Sequence, residues 1–253
     1  KKPLAKMIES NKNMFTRIYP AGDRVGSSNY NPDPSWEGGS QLVALNLQSF
    51  DTSTLKNAAK FRDNGNCGYI LKPLALRSQG YPETTVTLKV NLIGGRNLPR
   101  GTGKHSSCPF AKISVEGCKE DQKSYTTKEV KGNGFNPAWP DCMFGFTVTK
   151  AYCATLLIDI YDQKTTTSVT DAGSSTKKAV GGVGVGSLTG IGKAGMSAVG
   201  TVVASGASVA PAGLGDSASR GLATRLARCA IPVSTIQNGY RVMKMHDRNG
   251  QSK

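Results

Sequence analysis

Hydrophobic and polar positions follow three successive regimes along the chain. In residues 15–77 the apolar positions come in short, nearly continuous runs: 41–48 (QLVALNLQ) and 68–72 (GYILK), the second stopped by Pro73. Runs of this length and bulk suit strands buried on both faces of a parallel α/β sheet. Between them, residues 52–62 have helix-compatible content, and Asn64-Gly65 supplies a turn. Strand, helix, strand is a βαβ unit. Too few such units fit before residue 80 to complete a barrel or a doubly wound sheet, so the piece reads as part of something larger. Residues 78–83 (SQGYPE) read as a linker. The second regime alternates apolar and polar residues at 85–93, 111–115, 143–148 and 156–161, with turn clusters at 101–103 and 132–134. Short alternating strands at this spacing predict an antiparallel β-sandwich. The third regime, 163–228, is dominated by Thr, Ser, Gly and Ala, and its few bulky apolar residues cannot offset the entropy of ordering it. It is expected to be a disordered insert. Residues 230–233 and 240–245 look like strands again, so the insert interrupts the sandwich without ending it.

Charge changes this picture. The 253 residues carry 32 Lys and Arg against 17 Asp and Glu, a net +15, with a hydrophobic share of 38%. A polyanionic partner, nucleic acid or an anionic membrane, is therefore in play. The excess is +5 over residues 1–80, +2 over 81–162 and +8 over 163–253. Nucleic-acid binding would want an ordered basic face interleaved with aromatics. The ordered β region is only +2, and the basic last third holds one aromatic, Tyr240, so no nucleic-acid partner is expected.

Candidate chemistry is sparse. The six cysteines (Cys67, Cys108, Cys118, Cys142, Cys153 and Cys229) include no CxxC pair, and only His105 and His246 could join them, so reduced thiols are expected in place of a zinc site. The same two histidines supply no hydrolytic triad and read as turn residues. Gly190, Gly192 and Gly195 spell GxGxxG inside a Gly-rich tract, without the strand and helix that a dinucleotide site needs. A phosphate-loop reading around Lys193 fails because Ser187 and Ala194 stand at two required positions. The uncharged stretch 194–214 reads as low complexity, interrupted by Pro211, more than as a membrane span. The first ten residues have no apolar signal-peptide core, and a sequence starting at Lys1 reads as a processed chain or a fragment.

Several motifs then occur in order. Arg17-Ile18-Tyr19-Pro20 is followed by Arg24, Ser27-Ser28-Asn29-Tyr30 and Trp36, then by QLVALN at 41–46 and NGNCGYILKP at 64–73. This constellation closely resembles the Y region of eukaryotic phosphoinositide-specific phospholipase C. Downstream, 85–98 resembles the first strand of that family's C2 domain, NGFNPAW at 133–139 its strong signature, and 158–162 (IDIYD) and 231–250 its later strands. Only residues 1–14 and 163–228 lie outside the likeness. The implied architecture is an α/β half of a TIM-type barrel over 15–77, after a spacer remnant at 1–14 between the X and Y halves. An antiparallel β-sandwich, the C2 domain, follows over 84–253, interrupted by the disordered low-complexity loop 163–228 and lacking its last strand.

By resemblance, the activity is hydrolysis of phosphatidylinositol 4,5-bisphosphate to diacylglycerol and inositol 1,4,5-trisphosphate. The family's catalytic histidines and the carboxylates of its catalytic Ca²⁺ belong to the X half, so this chain holds no catalytic residue and is not expected to be active alone. Arg17 would bind a ring phosphate and Tyr19 would pack on the inositol; a guanidinium presents a fork of donors to phosphate oxygens. Trp36, Asn46, Cys67, Gly68 and Tyr69 are expected to be barrel structure. Asp23 stands where the family often carries an apolar membrane-facing residue. In the C2 domain, Cys108 before Pro109 aligns with the family's first-loop aspartate, and Ile160 and Asp162 with its third-loop pair. Asp159 is expected to point the other way along its strand. Asp162 is thus the only surviving ligand candidate, whereas Ca²⁺ wants 6–8 oxygens. The insert, 7 positive against 2 negative over 163–228, would instead attract anionic lipid without Ca²⁺. The expected location is cytoplasmic, peripheral on the inner face of membranes, with a phosphoinositide substrate as partner and no regulatory module within the chain. The competing reading is a catalytically inactive, phospholipase-C-like membrane adaptor.

Overall fold

A parallel pairing orders the N-terminal third of the computed structural model, which describes residues 2–22, 26–78, 85–101, 107–163 and 223–251. Strand β1 (Arg17–Ile18) runs parallel to β2 (Leu42–Val43), with Arg17 opposite Leu42 and Ile18 opposite Val43. Helix α2 (Asp33–Glu37), started by Pro34 in its first turn, lies in the connection. The crossover therefore spans 17 to 43, not 41 to 72 as expected. The anticipated strand at 41–48 shrinks to two residues, and 68–72 forms none. A strand persists only with a ladder partner. No described strand lies beside 68–72, and Tyr69 and Leu71 stand 70% and 76% exposed.

Within residues 1–14, expected to be a spacer remnant, Lys2–Asn13 forms helix α1, packed near the short helix α4 (Leu74–Arg77). Helix α3 (Thr52–Lys60) falls where the sequence places it. Asp51 caps its start by accepting the Thr54 amide at 2.9 Å. A 3-10 turn, Phe61–Asn64, closes it, and Gly65 takes a left-handed φ of 61° that favours glycine.

The remaining strands form two antiparallel sheets. In one, β3 (Val86–Asn91) pairs with β6 (Met143–Val148), Leu88 opposite Phe146. In the other the order is β5–β4–β7–β8, comprising β4 (Pro109–Glu116), β5 (Lys123–Thr126), β7 (Thr155–Gln163) and β8 (Ala223–Pro232). Ile113, Val115, Leu156, Ile158 and Cys229 from the four-stranded sheet meet Leu88, Phe146 and Val148 of the other in the main core. Each such buried side chain contributes about 1.5–3 kcal/mol.

Three expectations need correction here. Strand β5 (KSYT) was not anticipated, because an edge strand with one half-buried position shows little periodicity. Strand β8 begins at Ala223, seven residues earlier than expected, and β7 includes Gln163, so the insert narrows to 164–222. Those residues lie outside the described ones, as does the disorder expected of them. Residues 240–245 form no strand. Met243 and Met245 pack on the core while Tyr240 and Val242 stand exposed, and one bridge ties Arg228 to His246.

The outer face of the four-stranded sheet is covered in turn. Leu157 and Ala230 project from it onto Leu55 and Ala59 of α3, with Phe50 alongside. This seam joins the N-terminal piece to the sandwich.

Candidate functional site

Arg17 opens β1 and Tyr19 lies just past its carboxyl end, the end of a parallel strand pair at which α/β folds bind ligands, and both residues are exposed. The Arg17 guanidinium carbon lies 4.7 Å from the Tyr19 ring centroid, a cation–π contact. Tyr19 is 62% exposed, and no described carboxylate pairs with Arg17. The stacked guanidinium keeps its N–H edge available for an anion.

A polar knot that sequence reasoning missed sets this geometry. Gln41 accepts the Thr16 amide at 2.9 Å and donates to the Asn11 and Met14 carbonyls, both at 3.0 Å. Asn11, 2% exposed, donates to the Gly38 carbonyl at 2.7 Å and accepts the Thr16 hydroxyl. The Lys72 ammonium reaches the Asn11 carbonyl at 2.5 Å, near the C-terminus of α1, and burial lowers its pKa. With the Leu42 amide donating to the Thr16 carbonyl at 3.1 Å, the residue preceding Arg17 is held at its amide, its hydroxyl and its carbonyl. Gln41, at the mouth of an apolar run, was a visible signal; Asn11 lay in the supposed spacer.

The other motif residues hold loops. The Asn29 side chain donates to the Asn46 carbonyl at 3.0 Å and accepts the Asn46 amide at 2.6 Å, and the Asn46 side chain donates to the Ser27 carbonyl at 3.0 Å. Trp36 is buried, with the Lys60 ammonium 5.0 Å from its ring centroid. Asn64 reaches the Cys67 sulfur at 2.9 Å, and Gly68 has φ 90°, both within an exposed turn. Arg24, Asp23 and His105 lie outside the described residues. His246 is not a solvated turn residue: it is half-buried, 3.3 Å from the Arg62 guanidinium and 5.6 Å from Phe50.

The two acids at the end of the sandwich are committed elsewhere. Asp162, 1% exposed, sits at the end of β7 opposite Pro109 and Thr224 and accepts the Cys108 amide at 2.8 Å. Asp159 turns to the outer face and pairs with Arg228 at 3.0 Å, and Arg228 also donates to Thr52 of α3 at 3.0 Å. Among the described residues no group of three or more His, Cys, Asp or Glu could hold a metal ion. Asp162 brings a single carboxylate, one oxygen of which already accepts a buried amide, where Ca²⁺ wants 6–8 oxygens.

The seam beneath carries its own charges. Lys56, 2% exposed, meets Asp33 at 2.8 Å, Glu116 at 2.9 Å and Asn31 at 3.2 Å. Burial pulls the Lys56 pKa down, but Glu116 and Asp33 outweigh it and hold the ammonium above its ordinary value. Lys150 pairs with Glu37 of α2 at 2.6 Å. No described helix is long and apolar enough to cross a membrane.

Comparisons with known proteins bear on both halves. Residues 1–75 match the family model of phosphatidylinositol-specific phospholipase C, Y domain, and 86–185 match the C2 domain. The chain is 40% identical over 141 residues to 1-phosphatidylinositol 4,5-bisphosphate phosphodiesterase gamma-2 of Rattus norvegicus, covering 53% of this chain and 11% of that protein. It is 36% identical over 185 residues to the delta-1 protein of the same organism, covering 67% and 24%. The crystal structure of L. pealei PLC21 superposes with a TM-score of 0.65 at 23% identity, covering 99% of this chain and 27% of that one. The chain thus spans about a tenth to a quarter of the curated relatives it matches.

Proposed function

We propose, on the premise that this chain carries the Y domain of a phosphatidylinositol-specific phospholipase C followed by a C2 domain, that it forms part of the headgroup cradle of a phosphatidylinositol 4,5-bisphosphate phosphodiesterase and carries its membrane-facing module. Under this reading the parallel β1–β2 pair is part of a half-barrel that includes α1, and a complementary half supplies the groups that cleave the phosphodiester and hold any Ca²⁺ used there. The observation that carries it is Arg17, on β1, stacked on an exposed Tyr19 just past the carboxyl end of that strand. The guanidinium donates two N–H bonds to a ring phosphate, and the Tyr19 ring offers a flat apolar surface to the inositol. The knot around Gln41 keeps the pair from moving when the anion arrives, so that binding energy is not spent on ordering it. Among the described residues of the C2 domain no carboxylate cluster would hold Ca²⁺, so under this reading its contact with an anionic, inner-leaflet surface rests on basic side chains.

The test uses the chain joined to its complementary half. Arg17→Ala lowers kcat/KM for phosphatidylinositol 4,5-bisphosphate by roughly tenfold to a hundredfold, the loss of charge-assisted bonds. Unchanged kinetics would sink the reading. An assembled wild type that binds vesicles but hydrolyses nothing would favour the inactive adaptor.

A further inference from the structure

Cys118 and Cys153 are buried, 1% and 5% exposed, and their sulfurs lie 3.1 Å apart as free thiols. The turn after β4 and the turn before β7 are pressed together there by independent features. Gly117 has φ 150°, and a Cβ at that position would lie 3.0 Å from the Ala154 Cα and the Cys153 carbonyl, so glycine permits the approach. Asp121 clamps the same two turns, accepting the Thr149 amide and hydroxyl at 2.9 and 2.7 Å and the Lys150 amide at 3.0 Å. The Cys153 thiol also reaches the Lys150 carbonyl at 3.4 Å.

We propose that Cys118 and Cys153 form an oxidisable dithiol, a site at which hydrogen peroxide installs a reversible disulfide between residues 35 apart in sequence. Cys153, 5% exposed against 1% for Cys118, is the more accessible of the two and is the attacking sulfur. Its sulfur displaces hydroxide from the peroxide, breaking the O–O bond and leaving a sulfenic acid. The Cys118 sulfur then displaces hydroxide from that sulfenic sulfur and closes the S–S bond. The two sulfurs lose two electrons and two protons, and the peroxide leaves as two waters. The bond staples the turn bearing Lys150, whose ammonium holds Glu37 across the seam. Oxidation would therefore stiffen the contact between the two domains. This inference does not depend on the catalytic reading.

The experiment treats the chain with hydrogen peroxide in a Cys67→Ser background, since Cys67 is the exposed thiol. Circular dichroism is monitored throughout, and samples are digested without reductant. The expected product is 2 Da lighter, with tryptic peptides 113–119 and 151–164 joined, and dithiothreitol reverses it. Cys118→Ser stops the reaction at a dimedone-reactive Cys153. If that variant does not fold, the peptide map of the parent decides alone. Linkage of any other pair, sulfinic acid on Cys118 or Cys153, or no linkage before the circular dichroism signal is lost would each overturn the proposal.

Discussion

Asp51 shows how one side chain can be read from both ends of the argument. Burial alone would raise its pKa, but amide donors at Thr54 and Asn29, with their side chains, hold it below the ordinary carboxylate range. A depressed folded-state pKa contributes stability above the unfolded value of about 4 and loses it as pH falls through the folded value. Asp51→Ala should cost about 1 kcal/mol at neutral pH. Its urea midpoint should fall less than the parent's between pH 6 and pH 3, and equal falls would argue against the cap. At this scale the sequence was informative wherever a motif carried the residue: Arg17 opens β1 and Tyr19 follows the strand two positions on, and the two side chains stack. Asp162 was legible only as an acid near a loop. Its commitment to the Cys108 amide depends on where β7 ends against β4, which a linear pattern does not encode.

At the scale of elements, strands with a continuous core face were predicted within one or two residues. β6 matches its expected range, and β4 and β7 extend theirs by two residues or fewer at either end. Helix α3 was legible as a helix, but not as the element that clamps the sandwich. Its Lys56 is the test. Lys56→Ala leaves the buried Asp33 and the partly exposed Glu116 without their shared cation. Breaking a buried pair in this way costs about 3–5 kcal/mol, even where building one stabilises little. Urea unfolding should show that loss, and amide exchange should quicken along α3 before the rest of the chain. A change below about 1 kcal/mol would mean that water reaches the site. β5 and the early start of β8 were missed for opposite reasons: β5 is too exposed to show a pattern, and β8 was hidden behind a tract whose composition suggested that none of it would order.

For the whole molecule, the charge reading narrows. Of the seven basic residues in 163–228, Arg225 and Arg228 belong to β8, and Arg228 is neutralised by Asp159. Residues 164–222 keep five against two, a net +3. At about 1 kcal/mol per basic residue near an anionic surface, this still supports binding without Ca²⁺. Vesicles of phosphatidylserine with phosphatidylinositol 4,5-bisphosphate should retain the chain equally with and without EGTA. Deleting 164–222 should weaken retention more than about tenfold at low salt. Release by EGTA would show a Ca²⁺ site that the described carboxylates do not make. The sequence by itself pointed to the two domain families, the order of the main strands and the proposed cradle residues, because local spacing and side-chain chemistry carry those. Tertiary structure alone decided which apolar runs become strands, which acids are free and which surface of the sandwich is covered. Each of those depends on a partner distant in sequence: a neighbouring strand for 68–72, an amide for Asp162, and α3 for Leu157 and Ala230.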